Sequence, residues 1–314
     1  MPARDEAQRI AGCLRALDDA AARTPASVHV LILVNDRGKV PARGTAAAVR
    51  AASFALRHVA VAQRSVRLPD GEAHAGGARR RAVAEALAWT GARPTDRLLT
   101  TDADARLDPD GFVRLDEAFA CGAALALAEI VCIADPFDPV PQAVIDWGTP
   151  EVMWRHRVRH LAETIRLGRL PERPCHDDYG GAGIAATVGA YRALGGFPAV
   201  PSEEDLRFVR AADEAGLPVD RGSGAIVRVL ARATGRAEGG MASALAANAA
   251  ALAHAAPRRV ERHDLTLARL RANPSPARVF CAAPAATEPV HDALRGIDRA
   301  LAAFGPVSSR IVPA

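Results

Sequence analysis

The chain has 314 residues, enough for one large α/β domain with appendages or for two small domains. Hydrophobic residues make up 49% and charged residues 24%, as in soluble globular proteins, and the formal net charge is +4. Aromatic residues make up 4%, too few for a surface on which single-stranded nucleic acid stacks. We therefore expect no nucleic-acid partner.

Cysteine usage and hydropathy indicate a cytoplasmic protein. The five cysteines are widely spaced and form no Cys-x-x-Cys pair, which is typical of free thiols in a reducing compartment. No apolar run approaches the ~18 to 20 residues of a membrane span, and Asp5 and Glu6 fall where the apolar core of a signal peptide would begin. We expect no transmembrane segment and leave peripheral membrane contact open.

The first ninety residues alternate between helical and strand patterns. Apolar residues at helical spacing predict a helix around 10–17, and β-branched runs predict strands over 28–34 and 59–66. Helices are predicted over 45–58 and 74–89. This alternation predicts a parallel sheet with crossover helices.

A short apolar run at Leu98 and Leu99 is followed by Asp102 and Asp104. This pattern predicts a strand that places two carboxylates at its C-terminal end, where ligands bind in open α/β sheets. Carboxylates at this spacing can hold a hard divalent cation. The alternatives are solvated loop residues and a helix cap, since Asp108 and Pro109 resemble an N-cap with proline at the first helical position.

Glycines and arginines at residues 76–81 precede the helix predicted at 74–89. Small residues and exposed amides at a helix start favour phosphate. A glycine-containing turn followed by a solvated arginine face explains the same pattern, so both interpretations stay open.

The second half of the chain contains further strand, helix and loop patterns. A strand is predicted over 123–134 with a bend near Glu129, then a helix over 141–170. His156 and His160 lie four residues apart on that helix, as in some zinc sites, but their arginine neighbours favour a surface helix. Further on we predict a loop at 170–183, a short helix at 187–194, a helix capped by Ser202, and helices at 241–256, 264–272 and 289–304.

The order of seven segments resembles an inverting glycosyltransferase of family 2 with the GT-A fold. The segments are PARDEAQRIAGCL, a strand ending at Asn35 and Asp36, GGARR, TTDADA, GGAGIAA followed by LGGFP, SEEDLRF and RATGRAEGG. The resemblance covers about residues 1–241. It implies an α/β GT-A domain at 1–240, with a mostly parallel central sheet flanked by helices, and a helical C-terminal extension at 241–314.

The resemblance also implies the donor and the metal. Asp102 and Asp104 match the Asp-x-Asp that holds Mg²⁺ or Mn²⁺ on the diphosphate of a nucleoside-diphosphate sugar. Asp205 matches the general base that deprotonates the acceptor hydroxyl, with Glu204 beside it. The remaining matches are Pro2, Ala3 and Glu6 beside the nucleoside, Asp36 facing its base, Arg79 closing over the donor, Arg232 and Arg236 at the leaving diphosphate, and Gly181 with residues 195–197 on the acceptor side.

Three other functions compete with this resemblance. A nucleotidyltransferase of related fold would carry a glycine-rich phosphate loop where this chain has Pro-Ala-Arg-Asp-Glu, and a dinucleotide-dependent dehydrogenase would need Gly-x-Gly-x-x-Gly after a strand. An inactive sugar-nucleotide-binding or scaffold protein would lack Asp102, Asp104 or Asp205, and all three are present. The sugar, the acceptor (glycan, lipid or small molecule) and the oligomeric state stay open.

The resemblance makes residues 2–6 the end of a central first strand. An apolar run of about five residues should precede it, a usual strand length. Met1 stands immediately before Pro2, so the first strand looks truncated. We expect an open slot in the sheet between the strand at 28–34 and the strand that precedes Asp102.

Overall fold

The structure of the protein, a computed structural model, describes residues 1–35, 43–177, 179–235, 240–280 and 283–305. The chain divides into two compact units, residues 1–139 with 179–243 and residues 140–178 with 244–314. The sequence predicted one division at residue 240. The structure groups residues 140–178 with the C-terminal region as well.

The helices follow the predicted patterns, with shifts of a few residues at their ends. The first one shows why they form, because Ile10, Cys13, Leu14 and Leu17 recur at helical spacing and are all buried. In chain order they are α1 (Ile10–Ala21), α2 (Arg43–Ser53), α3 (Ala75–Thr90), α4 (Gly111–Ala120), α5 (Gln142–Leu167), α6 (Val188–Ala193), α7 (Glu204–Glu214), α8 (Met241–Ala253), α9 (His263–Ala272), α10 (Ala277–Phe280) and α11 (Val290–Ala302).

The strands are short except for the two β-branched runs near the start of the chain. The α/β class predicted from the sequence is confirmed, as is the helical character of the C-terminal region. In chain order the strands are β1 (Pro2–Ala3), β2 (Val28–Asn35), β3 (Val59–Val66), β4 (Arg97–Leu99), β5 (Ala105–Leu107), β6 (Leu125–Leu127), β7 (Glu129–Ala134), β8 (Ile184–Thr187), β9 (Val219–Asp220), β10 (Ile226–Ala231), β11 (Arg259–Glu261) and β12 (Thr287–Pro289).

Among its described residues, the first unit has three sheets, with strand orders β1-β2-β3, β4-β8-β6-β9 and β5-β10-β7. The first sheet is parallel, and the other two combine parallel and antiparallel pairs. Strand β1 pairs with β2 through Pro2 opposite Leu33 and Ala3 opposite Val34. Within the described residues, no strand bridges β2 and β4.

The long strand predicted at 123–134 is divided at Ala128. Its two halves, β6 and β7, belong to different sheets, so the bend expected near Glu129 is the point where the chain passes from one sheet to the other. At this point the Ala128 N–H donates to the Gly183 carbonyl and the Glu129 N–H to the Ala225 carbonyl. Strand β8, which pairs with both β4 and β6, was not predicted from the sequence.

The second unit packs α5 with α9 and α11 around an apolar core that includes Trp154, Leu161, Leu270 and Ile297. Strands β11 and β12 pair antiparallel beside these helices. The sequence predicted neither these two strands nor α10. No helix among the described residues has the length and apolar character needed to cross a membrane.

The prediction that His156 and His160 lie on a surface helix was wrong. Both rings are buried in the second unit. Burial lowers the pKa of His156 to about 3 and that of His160 to about 4, so both are neutral at pH 7. Arginines flank these histidines, and Arg155 and Arg159 form ion pairs with the buried Asp177. The sequence pattern of arginines therefore reflected internal pairing rather than a solvated helix face.

Asp18 on α1 fixes the start of β3, which leads to a prediction. Its carboxylate accepts the N–H groups of Arg57, His58 and Val59 at 2.6 to 3.1 Å. We expect Asp18→Ala to lower the free energy of unfolding by about 1 to 3 kcal/mol, because hydrogen bonds to a charged group are lost. Asp19→Ala removes an exposed carboxylate from the same helix and is the matched control. Equal urea midpoints for the two variants would contradict the role of Asp18.

Candidate active site

Asp102 and Asp104 lie in a tight turn between two sheets. The β4 ladder extends to Thr100, whose N–H donates to the Ile184 carbonyl, and the Asp102 carbonyl accepts the Ala105 N–H at 3.1 Å. Asp102 is 36% exposed in its side chain, whereas Asp104 is 8% exposed. The turn therefore directs one carboxylate toward solvent and the other toward the interior.

The helix cap predicted at Asp108 and Pro109 was wrong. Helix α4 begins at Gly111, and Asp110 precedes it without a side-chain capping bond. The Asp108 carboxylate instead accepts two hydrogen bonds from Arg228, at 2.8 and 3.0 Å. This ion pair occupies the oxygens that a cap would have used.

Arg79 on α3 joins three segments that are far apart in the sequence. Its Nε lies 3.0 Å from Oε1 of Glu204, its Nη2 lies 3.0 Å from Oδ1 of Asp102, and its Nη1 donates to the Gly181 carbonyl at 2.6 Å. The guanidinium is buried. Burial by itself would lower the pKa of Arg79, but the charges of Asp102 and Glu204 raise it on balance, so the group stays charged.

Gly181 allows the close approach of Arg79. A Cβ atom at this position would lie 2.0 Å from Nη2 of Arg79, so the guanidinium would have to move. The same residue donates its N–H to Oδ2 of Asp205 at 2.7 Å. Gly181 therefore links Arg79 to Asp205, because its carbonyl accepts from Arg79 and its N–H donates to Asp205.

A second ion-pair network lies around Glu6 and Arg232. Arg232 contacts Oε1 of Glu6 at 3.1 Å and Oδ2 of Asp104 at 2.7 Å. Glu6 is buried, and its N–H donates to Oγ1 of Thr45 at 2.9 Å. The pKa of Arg232 is raised: burial lowers it, but the charges of Asp104 and Glu6 outweigh that effect.

Arg9 and Asp135 extend this second network, and sequence reasoning missed both. The Arg9 Nε donates to Oδ2 of the fully buried Asp135 at 2.6 Å, and its Nη1 lies 3.9 Å from Glu6. Asp135 follows directly after β7, and its other oxygen accepts the Phe137 N–H. A carboxylate directly after an apolar run was the available signal, the same one that identified Asp102.

Asp205 lies in the first turn of α7, where two backbone donors orient it. Oδ2 accepts the Gly181 N–H, and Oδ1 accepts the Leu206 N–H at 2.8 Å.

The cap predicted at Ser202 was wrong, because the residue before the helix is Glu203, in the left-handed region at φ 61°. A non-glycine residue in this region is strained, as is often found at functional sites.

Gly76 and Gly77, in the first turn of α3, are packed against the chain itself. A Cβ atom at Gly76 would lie 2.4 Å from the Val200 carbonyl oxygen, and one at Gly77 would lie 2.1 Å from that of Glu72. The Gly77 N–H is already bonded to the His74 ring, which caps the helix. These glycines therefore permit close packing of the chain against itself, and the interpretation as a phosphate-binding helix start stays a prediction.

The Asp102 and Asp104 pair fits a divalent cation only with help from a ligand. Among the described residues, no group of three or more His, Cys, Asp or Glu side chains is arranged to hold a metal. Both aspartates offer hard oxygen ligands, and the Asp102 carboxylate is accessible. A cation at this position would therefore take its remaining ligands from phosphate oxygens and water.

The remaining candidate residues are less well connected to this cluster. Pro2 and Ala3 form β1, and Ala3 is buried. Phe197, expected on the acceptor side, is buried in a core cluster with Tyr191 and Phe208. Their predicted roles stay predictions. Asp36 and Arg236 lie outside the described residues.

The chain matches no known protein-family profile and no curated protein sequence. Among solved structures it is similar to the mannosyltransferase PcManGT from Pyrobaculum calidifontis in complex with GDP-Man and Mn²⁺ (TM-score 0.45, 15% identity, 97% of this chain and 79% of that chain). It is also similar to GalNAc-T7 with UDP, GalNAc and Mn²⁺ (TM-score 0.40, 11% identity). That likeness covers 64% of this chain, which spans 38% of the GalNAc-T7 chain.

The electrostatics of Asp104 give a prediction for the pH dependence of stability. Burial, and next the charge of Asp102, raises the pKa of Asp104 from 3.8 to about 6. At pH values between these two pKa values, Asp104 has lost its proton in the unfolded chain but keeps it in the folded chain. The free energy of unfolding therefore falls as the pH rises. We expect the free energy of unfolding of the wild type, minus that of Asp104→Asn, to fall by up to about 3 kcal/mol from pH ~4 to pH ~6.5.

Urea unfolding of both proteins across this pH range measures the difference. The asparagine side chain of the variant cannot ionise, so the comparison removes the titrations that the two proteins share. A difference that stays constant with pH, or that rises, would contradict the raised pKa of Asp104.

Proposed function

We propose that the first unit is a GT-A glycosyltransferase unit that moves a sugar from a nucleoside-diphosphate sugar to an acceptor hydroxyl with inversion. The observation that carries the proposal is the linkage through Gly181. Its carbonyl accepts from Arg79, which binds Asp102, and its N–H donates to Asp205. The residues proposed for the donor and for the acceptor therefore belong to one hydrogen-bonded cluster, as a direct displacement requires.

Charge balance supports donor binding at this cluster. Asp102 is held by Arg79, and Asp104 by Arg232. If the two carboxylates held a cation, both guanidiniums would become available to phosphate oxygens, which arginine binds in a bidentate manner. The exchange keeps every buried charge paired, so it avoids the cost of leaving one isolated.

Asp102 and Asp104 would hold the cation, which supplies positive charge against the developing charge of the leaving diphosphate. Arg79 and Arg232 lie beside these carboxylates and supply further positive charge at the same position. We propose Mg²⁺ or Mn²⁺, because the side-chain ligands are carboxylate oxygens.

Asp205 is the proposed general base. Its carboxylate takes the proton of the acceptor hydroxyl while the acceptor oxygen forms its bond to the anomeric carbon. The bond from that carbon to the diphosphate oxygen breaks with its electron pair, and the nucleoside diphosphate leaves. One carboxylate suffices for an inverting displacement, and backbone donors from Gly181 and Leu206 hold it in place.

Glu204 and Glu6 are proposed as positioning residues. Both are buried, and each binds the arginine that also contacts one aspartate of the Asp-x-Asp pair. The family 2 assignment is part of this proposal and depends on the sequence motifs. An inactive sugar-nucleotide-binding protein would need no general base, and the orientation of Asp205 toward the cluster favours an enzyme.

Two neighbouring glycines provide a matched test of donor binding. We expect Gly181→Ala to weaken the affinity for UDP or GDP with Mn²⁺ by about tenfold or more, because the new Cβ displaces Arg79. In Gly180→Ala the new Cβ meets Oδ2 of Asp205 at 3.6 Å, an ordinary contact, so affinity should hardly change. Calorimetric titration measures both, and equal affinities for the two variants would remove Arg79 from the donor site.

The role of Asp205 is tested by turnover. With Mn²⁺ or Mg²⁺ and a panel of nucleotide sugars, we expect the wild type to release nucleoside diphosphate from at least one donor. Asp205→Asn should lower transfer to an acceptor by about 10²-fold or more, since a general base contributes 10² to 10⁴, while donor affinity stays unchanged. Equal turnover in the variant would exclude Asp205 as the base. Donor binding without any turnover across the panel would favour the inactive binding protein.

A further inference from the structure

The second unit encloses a cavity that the proposed transferase chemistry does not use. It lies among α5, α9 and α11 and has a volume of about 420 Å³, within the range of about 300 to 1,000 Å³ common for small-molecule sites. Apolar side chains that include Ile165, Leu267 and Phe304 form most of its wall. Phe304 is 42% exposed, so its ring borders the opening.

Two arginines stand at this cavity, Arg271 from α9 and Arg299 from α11. Within the part of the chain that the structure describes, neither forms an ion pair, whereas nearby Arg269 pairs with Glu261 and Arg295 with Asp292. Both residues are exposed as well as lining the cavity, so they belong to its solvent-facing side. No Asp or Glu lies among the described residues that line the cavity.

His263 adds a polar group to the wall and shows how closely the helices pack there. Its Nδ1 lies 2.9 Å from Oε1 of Glu288, which orients the ring. A Cβ atom at Gly296 would lie 2.1 Å from the His263 ring, so the glycine allows α11 to approach α9 at this point. The cavity is therefore bounded by fixed groups rather than by a loose helix end.

The net charge of the second unit also favours an anionic ligand. Residues 140–178 and 244–314 contain 15 arginines against 11 aspartates and glutamates, so the net charge of +4 of the whole chain resides in this unit. An excess of positive charge raises the local concentration of anions. An uncharged apolar ligand would not benefit from the two arginines at the opening.

We propose that this cavity binds an amphiphilic anion, with its alkyl chain against the apolar wall and its phosphate or carboxylate head at Arg271 and Arg299. The apolar wall accounts for the chain, because its burial removes hydrocarbon from water. The two arginines account for the head, because guanidinium groups bind phosphate and carboxylate in a bidentate manner. The proposal is independent of the transferase activity, since all of its residues belong to the second unit.

Calorimetric titration of the full chain with octyl phosphate, below its micelle concentration, tests the proposal. We expect octyl phosphate to bind at least about tenfold more tightly than octyl glucoside, which lacks the charge, and than inorganic phosphate, which lacks the chain. Octanoate in a separate titration distinguishes a carboxylate head from a phosphate head. If inorganic phosphate binds as tightly as octyl phosphate, the arginines form a general anion surface and the proposal is wrong.

Three variants make the test specific. Arg271→Gln and Arg299→Gln should each weaken octyl phosphate binding by about tenfold, whereas Arg295→Gln, an exposed arginine on the same helix as Arg299, should leave it unchanged. All three are surface changes, and circular dichroism with thermal unfolding checks their fold. An equal loss in Arg295→Gln, or no loss in the other two, would overturn the assignment of the head group.

A fourth variant tests the chain-binding part. Ala303→Leu enlarges an exposed side chain that borders the cavity and should weaken octyl phosphate without affecting inorganic phosphate. Sedimentation with vesicles that contain anionic phospholipid separates a membrane surface from a cavity. Binding to vesicles without any binding of monomeric octyl phosphate would contradict the proposal.

Discussion

The buried guanidinium of Arg79 is the interaction on which the candidate site depends. It holds the carboxylates of Asp102 and Glu204 and the carbonyl of Gly181, three groups from segments 23 to 125 residues away. A buried ion is stable only when its partners are in place, and removing one partner typically costs about 3 to 5 kcal/mol. The positions of α3, the aspartate turn and the start of α7 are therefore mutually fixed before any ligand binds.

The same constraint explains why acidic and basic groups alternate through the cluster. Glu6, Asp104 and Asp135 are buried carboxylates, and Arg9 and Arg232 lie between them. A polar site of this kind is preorganised for charge, because its dipoles and ions need little rearrangement when a charged ligand replaces one partner. The stability of the unit and its proposed chemistry thus depend on the same ion pairs.

Local patterns in the sequence marked the members of the cluster, and the resemblance that their order carries implied that they belong to one site. Asp102 and Asp104 follow an apolar strand, Glu204 and Asp205 start a helix, and the structure places these motifs together. Asp135 also follows an apolar run and was missed, whereas Arg9 has no such local pattern and is recognised only by its pairing with Asp135, 126 residues away. Local patterns report which face of an element is apolar, but not which distant segment covers it.

That limit also accounts for the errors. The arginines around His156 suggested a solvated face because the pairing of Arg155 and Arg159 with Asp177 was not visible in the sequence. Gly76 and Gly77 suggested a phosphate-binding helix start, whereas in the structure carbonyl oxygens of the chain itself lie against them. In both cases the sequence shows the arginines or glycines themselves, but the groups that contact them come from other segments, which only the folded structure brings together.

The ion-pair network of Arg79 and that of Arg232 share one backbone feature, a strained residue with positive φ. Among the described residues, Asp5 and Glu203 are two of the three non-glycine residues with positive φ, and each directly precedes a buried glutamate. Glu6 then binds Arg232, which reaches Asp104, and Glu204 binds Arg79, which reaches Asp102. A strained residue of this kind costs roughly 1 to 3 kcal/mol and persists only where its surroundings over-determine it. In both networks a strained residue precedes the glutamate that positions an arginine, so the contact of each arginine with its aspartate depends on a backbone conformation that the surrounding structure must maintain.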